Sequence, residues 1–463
     1  QYRIVDAVYD GADTRRVYQT VQRHDVRGNV IEEQLGNGIT RVAQHDSSNG
    51  RLNRLSAETS AGNSLLTLDL TWDAIGNLKS RNEKGTLNGS YSRDINEIYN
   101  YDALNRLTGV SGDRRITAGD GSSQENGINL YLSYSLNGNI TWKSDVGHYQ
   151  YNSKPHAVTQ AGDNNYSYDA NGNNISGAGR TISYSTFDKP TRIESGGNVV
   201  QFAYGPQRQR YKRTDTATSG AAAGITETLY LGSVEKILRP NGERQWKRYI
   251  GGSLLITQTL TPDNSIADST EDYLLKDHLG SINLITNQNG SVKQWFQYDA
   301  FGQRLLAFDV ENLGLIAAGF YDENRCNSAS SNYDCSADDI AYIDSGHAQD
   351  RVTPRGYTGH ETIASMGIIH MNGRIYDPRL GRFLQADPNI DGATNTQGYN
   401  RYSYVGNNPL NATDPTGFFK LRQWVGAIVA VVGAVICGAP CAQFGWQAFA
   451  LGAVSGAAGA AAN

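Results

Sequence analysis

Cysteine, methionine and net positive charge are all scarce in this chain. Its 463 residues include four cysteines and two methionines. So few cysteines exclude a disulfide scaffold. The formal net charge of −5 argues against a nucleic-acid-binding surface, which would need clustered positive charge. No HExxH helix, Cys/His cluster or Walker loop occurs, so neither a metal nor a cofactor is expected. The eight histidines are scattered, and His278 and His360 read as packing or hydrogen-bonding residues. The chain starts at Gln1 rather than methionine. A fragment of a longer polypeptide is therefore expected, and the lack of a signal peptide says nothing about secretion.

What the chain has instead is tyrosine and glycine. Tyrosine (27) outnumbers phenylalanine (11), and there are 51 glycines, a profile that suits aromatic-rich strands joined by many turns. Asn37, Asn49, Asn88, Asn126, Asn137, Asn171, Asn241, Asn289 and Asn372 each precede a glycine. Asn-Gly supplies the two positive-φ residues of a type I′ hairpin, so hairpins are expected there. An aromatic–Asp pair followed by a turn and an apolar residue also recurs. Copies include Trp72-Asp73, Tyr101-Asp102, Tyr168-Asp169, Phe187-Asp188 and Tyr298-Asp299, with degenerate ones at Tyr134 and Tyr204. The tyrosine ends a strand, the Asp caps the turn, Gly or Asn takes the positive φ, and the apolar residue starts the return strand. Repetition every 17 to 34 residues is consistent with one or two hairpins per unit in a long stacked array. The expectation is an all-β chain of antiparallel hairpins in one curved sheet, with the repeats over 1–270.

Two stretches break the pattern. Residues 308–350 form a polar insertion, read as a surface excursion. Within it Cys326 and Cys335 flank a loop and are candidates for a local disulfide in an oxidising compartment. Residues 425–462 carry no charged side chain, and Gly438, Gly445, Gly452 and Gly459 recur every seven residues. An apolar helical segment, broken near Gly438-Ala439-Pro440, is expected there. Two readings of 420–462 stand: insertion into a target membrane, or a cargo segment buried inside a shell.

The most informative stretch is Arg374 to Gly417. It holds Asp377-Pro378, Asp387-Pro388 and Asp414-Pro415 among tyrosines and turn residues, and the composition changes abruptly after it. Each Asp-Pro marks a turn, because proline fixes its own φ and pushes its predecessor toward extended backbone. Asp377 reads as a turn cap. Asp387 and Asp414, if brought together, would be a carboxylate pair.

These residues carry a resemblance. Tyr376-Asp377-Pro378, Gly381-Arg382-Phe383, Asp387-Pro388, the run from Tyr402 to Pro409 and Asp414-Pro415-Thr416-Gly417 resemble the end of the RHS-repeat-associated core domain. That domain occurs in bacterial RHS toxins and in the C components of insecticidal toxin complexes. Lys276 to Ser281 and Gly356 to Glu361 are similar to its strand landmarks. The resemblance implies YD-repeat hairpins wound into a spiral sheet that forms part of a hollow shell, with the core domain over 271–417 and the start of a C-terminal cargo region over 418–463. It also implies self-cleavage just beyond the last Asp-Pro-x-Gly, here between Phe418 and Phe419. Asp387 and Asp414 would share a proton as in aspartic proteases, with Arg382 orienting the ionised partner. This sequence departs from the family at Asp387-Pro388-Asn389-Ile390, which lacks the fourth-position glycine.

The expected function is thus the shell part of a polymorphic toxin that encloses and releases a C-terminal toxic domain. Any catalysis would be a single intramolecular turnover, with no multiple-turnover enzyme activity. The implied partners are the chain's own toxic domain, a secretion-system or toxin-complex subunit and a cognate immunity protein, with a secreted or cell-envelope location. The competing reading is a cell-surface adhesion or carbohydrate-binding repeat protein without self-cleavage.

Overall fold

A computed structural model of the chain describes residues 2–6, 16–87, 91–152, 154–218, 223–309, 352–390, 396–418 and 421–422. Cys326, Cys335, the greater part of the 308–350 insertion, Phe419 and the apolar stretch 425–462 lie outside the described residues. Among those described, the helices are 3-10 turns of three or four residues, and none is long and apolar enough to cross a membrane.

The expected all-β antiparallel array is present. Strands follow in strict chain order in two fourteen-stranded sheets. One runs from Tyr2–Asp6 to Asn164–Asn165 and the other from Ser167–Tyr168 to Arg304–Asp309, so the array is divided between two sheets rather than one. Asn37, Asn49, Asn137, Asn171, Asn241, Asn289 and Asn372 sit between consecutive strands, whereas Asn126 lies inside the strand Ser123–Tyr134. Asn88 is outside the described residues.

The turns are not of the expected I′ form. Where Asn-Gly joins strands in the two large sheets, glycine alone takes the positive φ, as at Gly38 (82°) and Gly138 (81°). The aromatic–Asp copies explain why. At Asp73 the Gly76 N–H donates to the Asp73 carbonyl, and Gly76 has φ 96°. The Asp73 carboxylate accepts the N–H groups of Ile75 and Asn77 at 3.0 and 2.8 Å. A β-turn whose fourth residue is left-handed makes a bulged hairpin and needs only one positive φ. Asp102 and Asp299 cap their turns in the same way. Phe187-Asp188 departs from the rule, because there Asp188 itself takes φ 60°.

The register slips just before each aromatic, at Thr71/Trp72, Asn100/Tyr101, Ser133/Tyr134, Ser183/Tyr184 and Gln297/Tyr298. This bulge turns the aromatic toward the preceding hairpin. Trp72 Nε1 donates to the Leu52 carbonyl at 2.8 Å, and the hydroxyls of Tyr134, Tyr184 and Tyr204 reach Leu107, Asn174 and Pro190. Each acceptor starts or lies in an earlier return strand, so one edge of the array is stapled turn to turn.

Buried apolar residues from both sheets and from residues 352–412 form one continuous core. Polar groups also cross between the sheets: Glu83 accepts from Arg93 at 2.8 Å, from Trp295 Nε1 at 3.2 Å and from Asn283 at 3.1 Å. Residues 352–418 then settle on the turn edge. Their own four-stranded sheet runs Glu361–Ile363, Ile368–His370, Ile375–Asp377 and Arg382–Phe383. The Asn-rich stretch after it supplies donors to buried turn groups: Asn400 and Asn407 both reach the Gly138 carbonyl, and Asn408 and Asn411 reach Asn77. Tyr357, Tyr376, Phe383 and Tyr404 pack ring against ring beneath, with Tyr376 and Tyr404 centroids 4.7 Å apart. The asparagines of this segment thus help to fasten it to turns of the first sheet, and Tyr357 and Tyr376 donate to the Ala300 and Phe301 carbonyls of the second.

Candidate functional site

The segment from Thr413 to Phe418 lies against the turn joining Ile368–His370 to Ile375–Asp377. The Gly373 N–H donates to the Thr416 carbonyl at 2.8 Å, and Asn372 Nδ2 donates to Pro415 at 3.3 Å. Gly417 has φ 75°, and a Cβ there would stand 2.2 Å from the Met371 carbonyl oxygen. Only glycine fits this crossing without moving backbone. His360 Nε2 donates to the Asp414 carbonyl at 2.9 Å, and burial pushes its imidazole down to about 4. His360 is thus a neutral hydrogen-bond donor that holds the segment, and His278 does the same at Leu410.

Asp387 and Asp414 are brought together, but through a cation. One guanidinium nitrogen, Arg374 Nη2, lies 2.9 Å from Asp387 Oδ2 and 3.4 Å from Asp414 Oδ2. The Asp414 side chain is 4% exposed and that of Asp387 15%. Arg374 also donates through Nε to the Gly417 carbonyl and through Nη1 to Arg401 at 2.9 Å. Its guanidinium lies 3.6 Å from the Phe383 ring centroid. Burial pulls Arg374 down to about 10, while Asp387 and Asp414 hold it up, so it stays charged at neutral pH. The expected proton-sharing pair is, in this geometry, a pair sharing an arginine. A cation between two carboxylates offsets their mutual repulsion.

Arg382 is not at this site. Its guanidinium, on a residue 1% exposed, donates to Tyr151 at 3.2 Å, to the His156 carbonyl at 2.7 Å and to Asn400 at 3.1 Å. Arg382 is the strand partner of Asp377 across the hairpin, and its side chain fastens the segment to the first sheet. Asp377 is the expected turn cap, accepting the Leu380 N–H at 2.9 Å, and it also pairs with Arg180. Although the glycine after Asp387 is missing, its carboxylate accepts the Asn389 N–H at 2.8 Å, as that of Asp414 accepts the Thr416 N–H.

Phe418 is the last residue described before the expected cut. Its N–H donates to Thr416 Oγ1 at 3.2 Å, and its ring has Lys189 Nζ 4.7 Å and the Arg374 guanidinium 5.7 Å from its centroid. Sequence reading missed both cations. Arg374 opens the dense stretch, but nothing local distinguishes it from Arg382, which stands inside a motif. Lys189 comes from a turn of the second sheet, and no sequence proximity links it to residue 418.

No family model matches the chain. It is 24% identical over 272 residues to the tRNA3(Ser)-specific nuclease WapA of Bacillus spizizenii, covering 59% of this chain and 10% of that protein. It is 42% identical over 69 residues to the toxin subunit YenC2 of Yersinia entomophaga, covering 15% of this chain and 6% of that subunit. Among solved structures, a TcdB2-TccC3 complex with Cdc42 has the same fold over 89% of this chain and 20% of that one. The TM-score is 0.64 at 16% identity. The chain thus spans only a small part of each of these proteins.

Proposed function

We propose that this chain is wall and closing segment of an encapsulating toxin subunit, and that it cuts its own backbone after Phe418 to free a C-terminal cargo. The observation that carries this reading is the meeting of Asp387, Asp414 and Arg374 beside Gly417 and Phe418. Two buried or half-buried carboxylates on one guanidinium, against a backbone crossing that admits only glycine, exceed what a capped turn requires.

One carboxylate, most simply the more exposed Asp387, takes a proton from the water that attacks the Phe418 carbonyl. It returns that proton to the Phe419 nitrogen as the C–N bond breaks. Asp414 and Arg374 keep the charge of the site balanced and hold the Gly417 carbonyl in place. The reaction is one intramolecular turnover. The partners on this reading are the chain's own toxic domain, other subunits of a toxin complex or secretion apparatus, and an immunity protein, all at a secreted or cell-envelope location. The fold likeness to the TcdB2-TccC3 structure and the short YenC2 match support a shell role. Mass spectrometry of the folded, C-terminally extended chain at neutral pH tests the cut, with Asp387→Asn and Asp414→Asn as the controls that remove it.

A further inference from the structure

The ring of Phe418 has a seat built from elements far apart in sequence. Gly373 forms its floor, for a Cβ on Gly373 would stand 2.7 Å from the Phe418 ring and 2.6 Å from the Thr416 carbonyl oxygen. Lys189 is 9% exposed and projects from the second sheet, donating to the carbonyls of Asn372 at 3.1 Å and Gly373 at 2.9 Å. Those two bonds fix its ammonium over the ring at 4.7 Å. Arg374 closes another side. A cation held by two carbonyls over a half-buried ring is the geometry in which cation–π attraction counts most, because the ammonium is already partly desolvated.

We propose that Lys189 and Gly373 form a seat that reads an aromatic ring at position 418 and so fixes which peptide bond is presented to Asp387 and Asp414. This inference rests on the self-cleavage reading for its consequence, but the seat itself can be measured without any cut. Lys189 is a positioning residue: it touches the residue before the bond and not the bond. It also couples processing to assembly, since the seat exists only when the segment 352–418 has docked on the second sheet's turns.

The test uses the folded, C-terminally extended chain in four variants, each checked for native circular dichroism. Lys189→Met keeps the length without the charge, Lys189→Arg keeps a cation, Phe418→Leu keeps apolar bulk without the ring, and Phe418→Tyr keeps the ring. Two readouts are taken: the rate of the cut by intact mass, and hydrogen exchange of the peptide covering 414–418 in uncut chain. Lys189→Met and Phe418→Leu should each slow the cut and speed exchange by about tenfold, the scale of one desolvated cation–π contact. Lys189→Arg and Phe418→Tyr should restore both. If Lys189→Met does not fold, Phe418→Leu against Phe418→Tyr still decides the matter. Unchanged exchange in the variants that lose the cation or the ring overturns the seat, whatever happens to the cut. A wild-type chain that stays whole, with the exchange pattern as stated, leaves the seat standing and removes only the self-cleavage reading.

Discussion

The hydroxyl of Tyr134 donates to the carbonyl of Leu107 at 2.6 Å, joining one hairpin turn to an earlier one. Tyr184, Tyr204 and Tyr298 make the same kind of bond to Asn174, Pro190 and Ile282. At Tyr298 the following Asp299 also closes its own turn, so there one unit closes its turn and the gap to a neighbouring one. A spiral of hairpins has no single compact centre at its edge, so its order must be passed from unit to unit.

Tyr204→Phe isolates this contribution, keeping the ring and leaving the Pro190 carbonyl without its donor. A loss of ~1 kcal/mol is expected, the net worth of one such bond. Chemical denaturation of the variant against the parent measures it.

Glu361 anchors the closing segment to the second sheet. It accepts from Arg213 and the Tyr230 hydroxyl, both at 2.7 Å, and pairs with Arg210. Burial opposes its charge, yet the two arginines hold its carboxyl far below the usual range. Glu361→Gln removes that charge and leaves buried cations poorly balanced, so a cost of about 3 kcal/mol is expected. Denaturation at neutral pH should show it. Because the folded-state value is depressed, the parent should lose this contribution as pH falls below the ordinary glutamate range.

How far these contacts could be read from the sequence varies from residue to residue. Asp73 and Asp102 announce their turns because the cap and the N–H groups that donate to it lie within four residues. Asp387 and Asp414 were legible as a pair only through the family likeness. The charge between them was misplaced onto Arg382, since a sequence motif marks proximity along the chain and not direction of a side chain. The I′ expectation failed for a related reason: Asn-Gly permits two positive-φ residues, but a bulged turn closed on the residue three before the glycine requires one. Lys189 could not have been found, as its link to Phe418 exists only after sheet and closing segment have met.

His360 makes docking sensitive to acid. Its folded value of about 4 lies below its ordinary 6.5, so the unfolded state binds the proton first. Stability is full above pH 6.5 and falls as pH drops toward 4. Arg355 faces the imidazole and also lowers it. Asp277 and Asp299, raised to about 6 by burial, act in the opposite direction over part of this range. The comparison is therefore with His360→Gln, whose stability should fall less between pH 6.5 and 4, by up to about 3 kcal/mol. Parallel slopes for the two proteins would assign acid sensitivity elsewhere.

Gly417→Ala places a methyl where the Met371 carbonyl oxygen stands 2.2 Å away, at a φ of 75°. The backbone crossing must open, which on the self-cleavage reading shifts the bond after Phe418 relative to Asp387 and Asp414. The cut should slow by at least about 100-fold, the cost of roughly 1 Å of misplacement at a reacting centre. Circular dichroism should show the sheets unchanged, and intact mass follows the rate.

The central claim is that Asp387, Asp414 and Arg374 act together on the bond after Phe418. The most direct measurement is the intact mass of the folded, extended chain held at neutral pH, in the parent and in Asp387→Asn, Asp414→Asn, Arg374→Gln and Arg382→Gln. A large fragment ending at Phe418 is expected in the parent and none in the first three variants. Arg382→Gln, if folded, should still cut, because its guanidinium serves Tyr151, His156 and Asn400 instead. Breakage at Asp414-Pro415 would be ordinary acid hydrolysis and would not count. A folded parent that remains whole, or that is cut equally well without either aspartate, would contradict the account.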